Sequence, residues 1–240
     1  MEDDKLHNDA NESFPEKLQL EKIQKYIAGN YATATEVAKV WGLFDILFAC
    51  GPLPKKLMNK DFLEKLISYL LPVIATTGYM RRELLLSAGH IAQYIYFCKR
   101  GFARGFFIQK KTGREITDFF WGERSIITFP NSFFQQQPSQ AFIEVMPGTE
   151  LMSISFQDLK TCINKYPVVD FFSRHVILQY NTYETKRRHQ LSFLPAWDRY
   201  IELLKMHPDV EQKVSKEAIA SYLNIAPQSL SRMLRERGHP

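Results

Sequence analysis

Near the C-terminal end, Gln228, Ser229, Arg232 and Arg235 are spaced so that a helix would carry all four on one face. The chemistry open to such a face is hydrogen bonding to the edges of nucleic-acid bases. An arginine can pair bidentately with O6 and N7 of guanine, and a glutamine with N6 and N7 of adenine. Lys213, Lys216 and Arg237 flank the face and suit phosphates, which supply salt-sensitive affinity but no sequence information.

A reading face needs a scaffold that holds it out. The stretch from Lys216 to Arg235 has the form of a helix-turn-helix. Where the two helices cross most closely a small residue is required, and Ala220 stands there. Where the turn needs positive φ stands Asn224, whose short polar side chain tolerates that conformation. Ile219, Leu223, Ile225, Leu230 and Met233 fill the places that must be buried, and all are apolar. Pro227 falls at the first position of the second helix, where a missing N–H costs nothing.

Charge distribution agrees with this reading. The chain carries a net charge of +5, but residues 1–30 hold seven acids against four lysines. Residues 213–237 hold five bases against two acids, the polarity expected of a polyanion-binding end. Other classes find little support. No apolar run is long enough for a membrane span, and the acidic N-terminus lacks the apolar core of a secretory signal. Cys50, Cys98 and Cys162 are scattered and odd in number, which fits a reducing, cytoplasmic setting. No C-x-x-C or H-x-x-x-H set offers ligands, so neither a metal nor a cofactor is expected. No nucleophile motif, phosphate-cradling glycine loop or paired carboxylates argue for an enzyme.

The rest of the chain must position this tail. Residues 1–15 read as a disordered acidic tail, and residues 16–58 as extra helices ending at Gly51-Pro52. Another helix runs from about Asn59 to Leu71. Short β-rich runs then follow, punctuated by Gly89, Gly101 and Gly113, with further strands at 141–146 and 151–155 joined by Pro147-Gly148. Residues 59–164 thus read as an antiparallel β-roll or jelly roll. Over 165–190 the helical period returns: Val169, Phe172, Val176, Tyr180 and Tyr183 form one apolar seam. Burial within its own domain is one reading of that seam; a two-fold helix–helix dimer is the one preferred here. Residues 191–240 complete the chain as an all-α domain. The fold class is α+β.

This order of parts, with "YIYFCKRG", "KTGREIT", "RYIELLKMHP" and "IASYLNIAPQSLSR", resembles the Crp/Fnr family of bacterial transcription regulators. The resemblance covers about Asn59 to Arg237. It implies a homodimer reading a partly palindromic site in double-stranded DNA, with a cyclic-nucleotide-binding-like sensor domain. Of the family's recognition-helix start, Ser231-Arg232 match, while Ala226, Pro227 and Gln228 depart, so an altered site preference is expected.

In relatives that bind cyclic AMP, a Gly-Glu pair holds the ribose and an Arg-Ser-Ala run holds the phosphate. Here Thr128 and Phe129 stand in the first place and Ser139-Gln140-Ala141 in the second. Without the arginine a buried phosphate loses its fixed cation. An effector pocket lined by Thr128, Phe129, Phe142, Ser139 and Gln140 is therefore expected to take a more apolar small molecule than cyclic AMP, or none. Gly122-Glu123 reads as a turn, and Arg104 or Arg124 is the substitute cation to consider. The competing reading is a ligand- or protein-binding β-roll with a vestigial helix-turn-helix, favoured by the short chain after the second helix, which leaves no wing.

Overall fold

A computed structural model describes residues 59–237, together with the single position 42. The expectations for residues 1–15 and 16–58, Cys50 included, lie outside the described residues. Helix α1 (Lys60–Leu70) starts where Asn59 Oδ1 accepts the Phe62 N–H at 3.0 Å, and it buries Leu66, Ile67 and Leu70.

Eight strands follow: β1 (Ala75–Tyr79), β2 (Glu83–Leu86), β3 (Tyr94–Arg100), β4 (Ala103–Ile108), β5 (Glu115–Trp121), β6 (Ile126–Ile127), β7 (Phe142–Val145) and β8 (Thr149–Ser155). They form two antiparallel four-stranded sheets, ordered β1-β8-β3-β6 and β2-β7-β4-β5. Ile95, Phe97, Ile127, Ile143, Leu151 and Ile154 fill the space between them. Gly101 shows why its turn takes glycine: φ is +101°, and a Cβ there would lie 2.5 Å from Thr149 Cα. Strand β1 has no counterpart in the sequence reading, because "ATTGY" lacks an apolar alternation and is mostly exposed.

In the β4–β5 pair Phe119 lies opposite Gly105 and Thr117 opposite Phe106, so Asp118 is the extra residue of a β-bulge. The bulge resets which way β5 faces. Phe119 and Trp121 join the interior of the roll, whereas Phe120 joins a second core outside it. Strand β5 is also an edge of its sheet.

Short helix α2 (Pro130–Phe134) lies in the β6–β7 connection, and α3 (Phe156–Lys165) leaves β8 through an N-cap in which Ser155 Oγ accepts from Asp158 N–H. The long helix begins later than expected. Pro167 cannot extend α3, so Pro167–Val169 make a 3-10 turn and α4 spans Asp170–Phe193. Helices α5 (Ala196–Met206), α6 (Val210–Lys213), α7 (Lys216–Tyr222) and α8 (Pro227–Arg237) form the C-terminal unit.

The apolar seam of α4 does not await a partner. Val169, Phe172 and Val176 are buried in the core of the roll, Tyr180 and Tyr183 pack against it, and the Phe172 ring lies 5.7 Å from that of Phe97. This corrects the dimer assignment of those five residues. A helical apolar period reports that a face is covered, and the roll of the same chain covers this one. Among the described residues no helix is long and apolar enough to cross a membrane.

Candidate functional site

The hairpin of α7 and α8 is built as its sequence demands. Ser215 Oγ caps α7 by accepting from Ala218 N–H. The helix ends in a Schellman turn: Asn224 takes φ +53°, its N–H donates to Ser221 C=O, and Ile225 N–H donates to Ala220 C=O. Ala220, Ile219, Leu223 and Leu230 are buried; Ile225 and Met233 are half-buried and pack against them. Leu234, which the sequence reading left out of this core, is buried too.

Helix α8 opens at Pro227 and presents Gln228, Arg232 and Arg235 to solvent on one side, with Ser229 half-buried beside them. Neither Arg232 nor Arg235 is held in an ion pair among the described residues, so both guanidinium groups are available to an outside acceptor. Lys216 is exposed at the start of α7. Arg237 is partly engaged, lying 5.3 Å above the Trp197 ring, and Lys213 pairs with Asp209 at 3.5 Å. Gln228, Arg232 and Arg235 thus lie on one exposed side of α8, and of the three flanking bases Lys216 is exposed while Lys213 and Arg237 are engaged by neighbours.

The hairpin is docked through α7. Ser221 Oγ accepts the Thr117 N–H at 2.9 Å and donates to Glu115 C=O at 3.1 Å, occupying the free edge of β5. Phe102, Phe120 and Met146 of the roll share a core with Tyr200, Leu203 and Tyr222. Two arginines converge on the C-terminal carbonyls of α7, where the helix dipole is negative. Arg199 donates to Leu223 C=O at 2.8 and 3.1 Å, and Arg187 donates to Tyr222 C=O while its guanidinium lies 3.7 Å above the Tyr222 ring. Arg187 is only 5% exposed, faces Asp118 at 3.8 Å, and leaves Nε and one Nη without a hydrogen bond. Burial pushes the Asp118 carboxyl above its usual range, with Arg187 pulling the other way. Tyr183 donates to Asp118 C=O at 3.2 Å, and its hydroxyl meets that of Tyr222 at 3.0 Å. Apart from Tyr183, read only as part of the apolar seam, none of this set was singled out from the sequence, where Arg187 sits in "ETKRRHQ" as one surface base among several.

The expected effector pocket separates into parts. Phe129, Ser139 and Gln140 line a cavity of about 260 Å³ beside α2, together with Asn131, Gln137 and Tyr180. Among the described residues no cationic side chain lines it. Ser139 is turned onto its own loop, accepting from Ala141 N–H and donating to Ala141 C=O. Phe142 belongs elsewhere: it stacks on Phe106 at 5.1 Å, and Phe106 is covered by Arg104. Arg104 is held by Glu115 at 2.6 Å and Glu144 at 3.0 Å, so it supplies no free cation. Thr128 lines a different cavity of about 380 Å³, bounded by β5, the β5–β6 turn, α4 and the end of α5. The Phe119 ring, on the wall of this second cavity, stacks against Trp121, Tyr180 and Tyr183 at 4.6 to 5.3 Å, and Tyr180 borders both cavities. No group of three or more potential metal ligands occurs among the described residues.

No sequence-family model matches the chain, and no curated protein does. Solved structures do match. The c-di-GMP-responsive global regulator CLP of Xanthomonas campestris is 17% identical, with 72% of this chain and 90% of that one covered at a TM-score of 0.56. FixK2 from Bradyrhizobium japonicum is 17% identical over 69% of this chain and 86% of that one, TM-score 0.57. A transcriptional regulator of the crp/fnr family from Eubacterium rectale is 16% identical over 72% and 82%, TM-score 0.59. At these identities the likeness is one of fold, and the two antiparallel sheets, long helix and C-terminal helices of this chain are the fold of Crp/Fnr-type regulators.

Proposed function

We propose that this protein is a non-enzymatic, sequence-specific regulator that binds double-stranded DNA as a homodimer. The observation that carries the reading is the α8 face: Gln228, Arg232 and Arg235 stand exposed on a helix whose other side is locked into the hairpin core. Such a helix fits the major groove, where Arg232 suits guanine and Gln228 suits adenine. Lys216 and Arg237 add phosphate contacts that position the helix without choosing a sequence.

The dimer proposed here uses the side of α4 that the roll leaves open. Leu178 is 64% exposed and Phe193 73% exposed. Arg174, Leu178, Asn181, Thr185 and Arg188 recur along that side at alternating steps of four and three residues, the repeat of a helix pair, and all are exposed. A two-fold axis there would present two α8 helices to a palindromic site. The 260 Å³ cavity, with no cation among its described lining residues, does not suit a cyclic nucleotide phosphate.

Selection of bound sequences from a random duplex pool tests the reading. The full chain is expected to enrich a two-half-site sequence, and Arg232→Ala is expected to weaken binding to it by about 1–3 kcal/mol, with discrimination lost at one position per half-site. Equal binding by Arg232→Ala would remove that residue from base recognition. Failure to enrich any sequence would favour a binding module whose hairpin no longer reads DNA.

A further inference from the structure

We propose that the cavity between the roll and the DNA-binding unit is a ligand site for a small planar aromatic acid, distinct from the cavity beside α2. Its walls come from three parts of the chain: Phe119, Phe120 and Trp121 of β5, Tyr180 and Tyr183 of α4, and Met206 and His207 at the end of α5. An aromatic ring fits between such faces, because offset and edge-on contacts with phenyl and indole rings add to simple burial. The volume of about 380 Å³ is that of roughly a dozen water molecules at about 30 Å³ each, room for a small aromatic acid.

One buried polar group on the wall lacks a partner among the described residues, an exposed arginine stands on the same wall, and the two point to what else the ligand carries. Thr128 is 4% exposed, and its hydroxyl has no hydrogen-bond partner among the described residues. A buried hydroxyl left in that state is costly unless something completes it. Arg124 lines the same cavity at the β5–β6 turn, where φ is +63°, and no ion pair holds it among the described residues. A non-glycine residue in the left-handed region is strained, and such strain gathers at functional sites. A carboxylate on Arg124, an acceptor or donor against Thr128 and a ring among the aromatics account for all three features together.

The position matters as much as the composition. Gly122 leaves room for the His207 ring, since a Cβ there would stand 3.2 Å from His207 Nδ1. A ligand touching Arg124 and Thr128 on the roll and Met206 and His207 on the DNA-binding unit would stabilise the docked arrangement of the two.

The test uses the full chain without DNA, so its result is independent of the DNA-binding proposal. Binding of 2-naphthoate and of its uncharged analogue 2-naphthalenemethanol is measured by calorimetry. The carboxylate is expected to bind at least about tenfold more tightly than the alcohol. Arg124→Gln is expected to abolish that preference and Arg124→Lys to keep most of it. Thr128→Val is expected to weaken 2-naphthoate several-fold without lowering the melting temperature, because it removes an unpartnered hydroxyl. Gln140→Ala, in the other cavity, is expected to leave binding unchanged. The proposal is overturned by the absence of saturable 2-naphthoate binding in the millimolar range, by equal affinity in Arg124→Gln and the parent, or by loss of binding in Gln140→Ala.

Discussion

Replacing Ser221 by alanine isolates the contact that holds the helix-turn-helix on the roll. The hydroxyl makes two hydrogen bonds to the β5 edge, at 2.9 and 3.1 Å, and both go with it. If the docked state is kept, Thr117 N–H and Glu115 C=O are left dry, at about 1–3 kcal/mol each. In the undocked state water reaches the edge and both groups are satisfied, so the substitution destabilises the docked state alone, by about 2 kcal/mol at the lower end of that range. The shared core still opposes undocking, and about 2 kcal/mol is roughly a 30-fold shift in the docking equilibrium. Amide hydrogen exchange on the full chain reads this directly. The Thr117 amide is expected to exchange roughly 30-fold faster in Ser221→Ala, while amides of the β3–β8 ladder, Met152 among them, keep their parent rates. Unchanged exchange at Thr117 would refute the assigned role of Ser221. A uniform rise across both sheets would refute local undocking and make the residue a contributor to global stability.

Other outcomes follow from the same structure. Leu178→Asp is expected to convert a dimer to a monomer in sedimentation, because it puts a charge at the middle of the exposed stripe of α4; an unchanged mass excludes that stripe. Burial pushes the Cys98 thiol up to about 12 and the Cys162 thiol up to about 11. At about pH 8, iodoacetamide followed by mass spectrometry is expected to leave both unmodified in the folded protein and to label both in denaturant. The His207 imidazole is held below its ordinary value by burial, against opposing effects from Asp209 and the Phe120 backbone. Its folded pKa lies below the unfolded one, so the unfolded chain takes up the proton first as pH falls through about 6.5, and stability is lost from there down. Thermal unfolding is expected to show a smaller drop between neutral and mildly acidic pH in His207→Gln than in the parent.

The hairpin was legible because its constraints are local. Ala220 at the crossing, Asn224 at positive φ and Pro227 at a helix start each answer a demand set by residues a few places away. Glycines 89, 101 and 113 were legible on the same ground, and all three have positive φ. The face of α4 was not, since periodicity does not say whether a roll or a second helix covers Phe172 and Val176. The docking contacts were out of reach altogether: Ser221 and Thr117 are 104 residues apart, and neither type announces a partner. The bulge at Asp118 had no signal either, although it decides that Phe119 faces inward and Phe120 outward. The pocket was misdrawn for a related reason. Thr128 and Phe129 are adjacent in the chain, but adjacency does not say which way each side chain faces, and the two line different cavities.

The shared core of Phe102, Phe120 and Met146 with Tyr200, Leu203 and Tyr222 sets a limit on how this chain can be taken apart. By topology it has two units, and a cut near the end of α4 looks harmless in a strand diagram. Thermodynamically the seam is an interior surface. A roll freed of its C-terminal helices would wet three large side chains and bare the backbone of an edge strand, which is a template for pairing with other chains. Inheritance of the two halves as separate modules is therefore disfavoured here, and a fragment made for study of the roll alone would have to carry α5 and α7 with it.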